Sequence, residues 1–137
     1  MIDISEINDY LSQVVDKYRA IEKVWLMGSR LDENTHWKSS PPGDWDLVVF
    51  TDKATMTTMK NDKALRTEDI DLIVVYNHSE NYVRFRKGES DREKPWHNFE
   101  WIEDENGTDA TYTARDAQGV QRCFAKVIWS REQDEHH

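Results

Sequence analysis

The order of segments predicts an α/β (α+β) domain: a β-sheet flanked by helices and continued by a β-rich C-terminal extension. Three observations predict it. A helical-face pattern occupies the start of the chain, three short apolar runs follow with a helical stretch before the third, and alternating, turn-punctuated segments fill the region after Asn81.

The first element is a helix. Ile7, Tyr10, Leu11, Val14, Val15, Tyr18 and Ile21 fall on one helical face, while Asn8, Asp9, Gln13, Asp16 and Lys17 point outward. Ser5 is the expected N-cap, and the pattern changes near Arg19 or Ala20. Lys23-Val24-Trp25-Leu26-Met27 then reads as a buried strand stopped by Gly28. A polar stretch from Leu31 to Gly43 contains Ser39-Ser40-Pro41-Pro42-Gly43, a loop signal. The run from Asp44 to Phe50 becomes β-branched and aromatic and reads as a second central strand. A short helix is expected over about Ala54 to Leu65, and Ile70-Asp71-Leu72-Ile73-Val74-Val75-Tyr76 carries the strongest strand signal in the chain.

Beyond Asn81, Tyr82-Val83-Arg84-Phe85-Arg86 alternates as an edge strand does. Phe99-Glu100-Trp101-Ile102 reads as a further strand, followed by the hairpin signal Asn106-Gly107. Ala110 to Thr113 and Val120 to Trp129 read as the arms of a hairpin around Gly119. With 137 residues, the chain is expected to be one domain, its motif-bearing core at about 5–77 and its β-rich extension at about 81–130.

Composition narrows the function classes. A formal net charge of −9 opposes a non-specific coat on a phosphate backbone. The single cysteine, Cys123, excludes an internal disulfide framework and a Cys-based zinc site. No apolar run approaches the about eighteen residues that a membrane span requires. The N-terminal residues lack the basic and apolar regions of a signal peptide, so the expected compartment is the cytoplasm. His136 and His137 read as the remnant of a purification tag and are set aside from metal binding.

The chemistry-bearing residues are acidic. Asp44 and Asp46 are two apart, which puts both on one face of an extended backbone, and Asp71 joins them if the two strands are neighbours. Three carboxylates at one sheet edge repel unless divalent cations neutralise them, and magnesium favours a few carboxylates together with phosphate oxygens. On this reading, replacing any one of the three by Asn is expected to raise stability without metal. Gly28-Ser29, at the end of an apolar strand, permits a sharp turn and close approach of a ligand. Phosphate on that turn and metal on the aspartates describe a site for a nucleoside triphosphate.

Trp25-Leu26-Met27-Gly28-Ser29-Arg30, then Gly43-Asp44-Trp45-Asp46-Leu47-Val48-Val49, then Ile70-Asp71-Leu72-Ile73-Val74 together resemble the signature of the DNA polymerase beta-like nucleotidyltransferase superfamily. The Gly-Ser-Arg form is most similar to the minimal nucleotidyltransferases of prokaryotes. The resemblance covers about residues 5 to 77. It implies a nucleotidyltransferase-type mixed β-sheet, with Gly28, Ser29 and Arg30 as the nucleotide-binding turn. Asp44, Asp46 and Asp71 would be the catalytic and metal-holding residues for Mg2+ or Mn2+, and Asp71 would help to deprotonate the attacking hydroxyl. The implied reaction moves a nucleoside monophosphate from a triphosphate to a hydroxyl of a small molecule, a protein or an RNA end. Minimal nucleotidyltransferases often pair with a helical protein, which implies the alternative of a binding or antitoxin-like regulatory protein acting through a partner. The interval from Ser29 to Asp44 is longer than the family's usual spacing, and the β-rich extension replaces the helices that many members add.

Several residues keep two readings. Asp69 competes with Asp71 for the third acidic position, although the apolar neighbours of Asp71 favour the latter. Arg30 either contacts phosphate or pairs with a surface carboxylate. Arg84 and Arg86, with Lys87, either guide an anionic substrate or protect an edge strand from aggregation. His36, His78 and His97 lack metal-ligand spacing and read as surface residues. Cys123 reads as packing, and Trp96 and Trp101 either stack on a base or fill the core.

Overall fold

A computed structural model describes residues 2–35, 43–117 and 119–135. The helices are α1 (Asn8–Lys17), α2 (Lys53–Lys60) and α3 (Arg131–Glu135). The strands are β1 (Lys23–Met27), β2 (Trp45–Phe50), β3 (Ile70–Tyr76), β4 (Asn81–Phe85), β5 (Lys94–Pro95), β6 (Ile102–Glu103), β7 (Asp109–Asp116) and β8 (Gly119–Ser130). They form a mixed α+β arrangement around one eight-stranded sheet of order β5-β4-β3-β2-β1-β8-β7-β6. Only β2 and β3 run parallel; every other neighbouring pair is antiparallel. Among the described residues no helix is long and apolar enough to cross a membrane.

Alternation along the central strands divides the core between the two faces of the sheet. Val24, Leu26, Leu47, Val49, Leu72 and Val74 pack with Leu11, Val14 and Val15 of α1 and Met56 and Met59 of α2. The opposite face carries Trp25, Val48, Ile73, Val75, Tyr82, Trp96 and Tyr112. The central strands are therefore covered on both sides, which is why β3 is buried at all seven positions.

Several boundaries depart from the sequence expectations for identifiable reasons. Ser5 does not cap α1. Residues Ser5–Ile7 form a 3-10 turn, Ile7 takes the N-cap position, and no side chain caps it. The tighter turn buries Ile7 and carries Glu6 to the indole N–H of Trp45, which donates to it at 2.7 Å. The helix expected through Leu65 stops at Lys60, and Lys63–Leu65 forms a separate 3-10 turn. Asp62 accounts for the break: its carboxylate accepts from the Ala64 N–H at 3.1 Å and from Lys17 and Tyr18 of the first helical region.

The β4 strand is not at the very edge, because β5 pairs with it, but only at Asn81 and Tyr82. The strand expected over Phe99–Ile102 is instead a 3-10 turn at Trp96–Phe99 followed by the two-residue β6. Trp96 stacks on Phe99 with centroids 4.5 Å apart, and Trp101 meets Trp25 edge-on at 5.1 Å. These aromatics fill the second core rather than waiting for a base. Cys123 is fully buried there, as expected.

Arg131, at the start of α3, is 7% exposed and donates to Ile21 O and Val15 O, so it closes the C-terminal end of α1 against β8. Truncation leaves those buried carbonyls without their charged donor. Arg131→Ala is expected to cost about 2–4 kcal/mol in a denaturant titration; a change below about 0.5 kcal/mol would show that water replaces the guanidinium freely.

Candidate functional site

The parallel pairing of β2 with β3 sets Asp46 opposite Asp71. Both side chains lie on the sheet face that carries Val48, Ile73 and Trp25, away from the helices. The Asp71 side chain is 9% exposed. Its Oδ1 is buried with no hydrogen-bond partner. Asp44 stands just before β2, two residues ahead of Asp46. Asp69, the competing acid, is exposed and contributes only its carbonyl, which accepts from the Trp45 N–H at 2.9 Å.

Two arginines answer this charge. Arg84 Nε is 3.3 Å from Asp71 Oδ2, and Arg86 forms an ion pair with Asp44. Asp46 has no cation within ion-pair distance among the described residues. Burial, joined by the charge of Asp71, pushes its carboxyl up to about 7, against the opposing pull of Arg84. Burial also raises Asp71, while Arg84 and Arg86 oppose the shift. The expectation that Asn at any of the three positions relieves repulsion divides between the acids: Asp44 is paired with Arg86, whereas Asp46 and Asp71 both remain harder to ionise than a free carboxyl.

The turn at Gly28 abuts the same carboxylate. Gly28 has φ +79°, and a Cβ placed there would overlap Asp46 Oδ2. Its N–H donates to Tyr112 Oη at 2.9 Å, and its carbonyl accepts from Asn34 Nδ2 at 2.8 Å. Asn34 is 1% exposed and also bonds both backbone groups of Phe124, donating to its carbonyl and accepting from its N–H. The C-terminal β7–β8 hairpin therefore holds the Gly-Ser turn from two sides. Burial drives the Tyr112 phenol far above its ordinary pKa, so it remains a neutral partner.

Ser29 and Arg30 face a different space, a groove of about 930 Å³ on the helix side that Ile4, Glu6, Trp45 and Lys126 also line. Ser29 Oγ accepts from the Gly43 N–H at 3.3 Å. Arg30 stacks over the Trp45 ring at 4.8 Å, donates to Gly43 O, and lies 3.8 Å from Glu6 Oε2. Of its two readings, the structure shows the carboxylate partner. Of the acids only Asp46 abuts Gly28, so the expected nucleotide-binding and metal-holding residues meet at that one contact and do not share a cavity. His78 and His97 are exposed, while His36 and Pro41-Pro42 lie outside the described residues.

Sequence reasoning missed Asn34 and Tyr112. Asn34 stands in a run of polar residues that carries no periodicity, and Tyr112 reads only as part of a hairpin arm.

Among the described residues no three His, Cys, Asp or Glu side chains stand as a ready metal cluster. The donor chemistry nevertheless fits a hard divalent ion: Asp71 offers a buried, unpartnered oxygen beside Asp46, while Asp44 is engaged by Arg86.

Two outcomes follow for the metal-free protein. Gly28→Ala is expected to lose at least about 2 kcal/mol, from the left-handed backbone and the overlap with Asp46, in equilibrium unfolding. Asp46→Asn acts in the opposite sense. A carboxyl whose folded pKa is raised lowers stability progressively from about pH 4 to about pH 7, because the unfolded chain ionises first. The variant is therefore expected to melt several degrees above wild type at pH 8 and to match it near pH 4, by calorimetry. Equal melting temperatures at pH 8 would show that the Asp46 charge is already compensated. Comparison of the chain with protein-family models, with curated proteins and with solved structures finds no match.

Proposed function

We propose that this protein is a metal-dependent nucleotidyltransferase that moves a nucleoside monophosphate from a nucleoside triphosphate to a hydroxyl acceptor. The observation that carries the reading is the in-register pair Asp46–Asp71, one buried oxygen of which is unpartnered, set against a glycine turn. An oxygen of that kind, in a setting where each neighbouring acid raises the cost of ionisation, calls for a cation.

Asp44, Asp46 and Asp71 would hold magnesium or manganese, which when bound supplies charge neutralisation and lowers the pKa of a coordinated hydroxyl. Ser29, across Gly28 from the acids, would hold one end of the triphosphate. The acceptor oxygen forms a bond to the α-phosphorus, the bond from that phosphorus to the bridging oxygen breaks, and pyrophosphate leaves with the electron pair. Asp71, whose basicity burial increases, receives the proton of the acceptor hydroxyl. Tyr112 and Asn34 act as positioning residues through Gly28.

A second reading is favoured by the two arginine ion pairs, which already compensate Asp44 and Asp71 without metal. In it the domain keeps the constellation but acts by binding a protein partner.

The test is incubation with labelled ATP, GTP, CTP and UTP, magnesium and a cell extract. The transferase reading expects label on an acceptor and a loss of at least about 100-fold in Asp46→Asn and Asp71→Asn. Absence of any labelled product, with magnesium leaving the calorimetric transition unmoved, would remove the transferase reading in favour of the second.

A further inference from the structure

We infer that Arg84 and Arg86 form a binding site for the polyphosphate of the nucleotide, and that in the free protein their guanidinium groups rest on the acids which that ligand releases. The inference rests on the transferase reading and names residues that the motif resemblance does not include.

Both arginines belong to the same face as Asp71. Arg84 is the cross-strand partner of Ile73, whose side chain lies in the second core, and Arg86 follows two residues later, just past the end of β4. A solvated edge cation looks different in this molecule: Lys87 is 67% exposed and pairs with the exposed Glu68. The Arg84 and Arg86 side chains are 36% and 33% exposed and turn toward buried or half-buried acids. Protection of a strand edge does not require that orientation.

The contact between Arg84 and Asp71 is incomplete on both sides. Arg84 Nε is buried without a hydrogen-bond partner although it lies 3.3 Å from the carboxylate, and Asp71 Oδ1 is likewise unpartnered. The donor is orphaned although one oxygen of the carboxylate, Oδ2, lies at contact distance, and the other oxygen, Oδ1, is orphaned as well, so the pair leaves polar capacity unused on both side chains. A cation bridged to a phosphate serves both, since the carboxylate oxygen then meets positive charge and the guanidinium meets phosphate oxygens. Arginine suits this exchange because its planar fork recognises phosphate in two-point fashion and stays charged throughout. The charge balance agrees. Two guanidinium groups against the three carboxylates of Asp44, Asp46 and Asp71 leave one negative charge, and a divalent ion turns the site positive toward an anion.

Isothermal titration of the full chain with magnesium alone, and with inorganic triphosphate in saturating magnesium, tests the inference. Arg84→Gln and Arg86→Gln are expected to weaken triphosphate binding by at least about tenfold each, and to leave magnesium binding as tight as in wild type or tighter, since a competing cation is gone. An ion pair whose loss merely loosens the fold around the acids would weaken both ligands together. A parallel loss of both affinities, or unaltered triphosphate affinity, would overturn the inference. Orthophosphate binding as tightly as triphosphate would also overturn it, since the pair would then read a single phosphate. Should the Gln variants not fold, the arginine Nε–H resonances of the wild type, assigned with Arg84→Lys and Arg86→Lys, give the same answer. They should shift on adding magnesium triphosphate and stay fixed with bound triphosphate only if the inference is wrong. Wild-type protein that binds neither magnesium nor triphosphate removes the transferase reading together with this one, whereas binding with unmoved arginine signals removes this one alone.

Discussion

The parallel alignment of β2 and β3 is the constraint on which the rest depends. It sets two carboxylates, Asp46 and Asp71, side by side across strands that stand about 4.8 Å apart. Like charges at that spacing, on a face otherwise occupied by valine, isoleucine and tryptophan, are unfavourable. The neighbouring structure responds in three ways. Arg84 and Arg86 approach from β4 and just beyond it, the ordinary ionisation range of Asp46 moves upward, and Asp71 keeps one oxygen that nothing in the described chain satisfies. The first two reduce the cost of the arrangement; the third does not, and a cost retained in this way is more simply understood as serving a ligand than as serving the fold.

The C-terminal extension belongs to the same construction. It continues the sheet through β8, whose pairing with β1 joins the two halves of the chain. It also returns to the site: Tyr112 from β7 takes the N–H of Gly28, and Asn34 ties the Gly28 carbonyl to the backbone of Phe124 in β8. Asn34 behaves as a one-residue extension of the sheet, offering β8 an amide where β1 no longer reaches. A turn fixed at both its N–H and its carbonyl has little freedom to lose when a ligand arrives, which is the usual advantage of a preorganised site.

Much of this was legible in the residues and some was not, for physical reasons. Strong apolar runs located β1 and β3 to the residue, because burial on both faces leaves a continuous signal. Spacing related Asp44 to Asp46, but the meeting of Asp46 with Asp71 depended on β2 and β3 being neighbours, which the parallel register supplies. The end of α2 could not be placed, because Asp62 acts through distant Lys17 and Tyr18 as well as through its local turn. The segment around Trp96–Phe99 has strand-like composition, yet aromatic packing overrides it. The arginines show the same limit. Their alternation marked an edge strand, but the choice between solvent and the acids is made by a register between strands that sequence spacing does not encode.

Gly28 brings these threads together. Its positive φ would suffice to explain a glycine, as would the proximity of Asp46, and the two constraints are independent. A turn needing only the left-handed backbone would tolerate an acid at some distance. Here the carboxylate lies against the α-carbon itself, so no side chain stands between the acid face and the Gly28–Arg30 turn. That absence of intervening atoms matters for the chemistry proposed. A cation held by Asp46 and an anion held at Ser29 would be separated only by backbone, close enough for each to stabilise the other. It also reconciles two spaces that otherwise look separate, the groove lined by Ser29 and Arg30 and the acid-bearing face of the sheet. The glycine is where a ligand reaching from one to the other would cross.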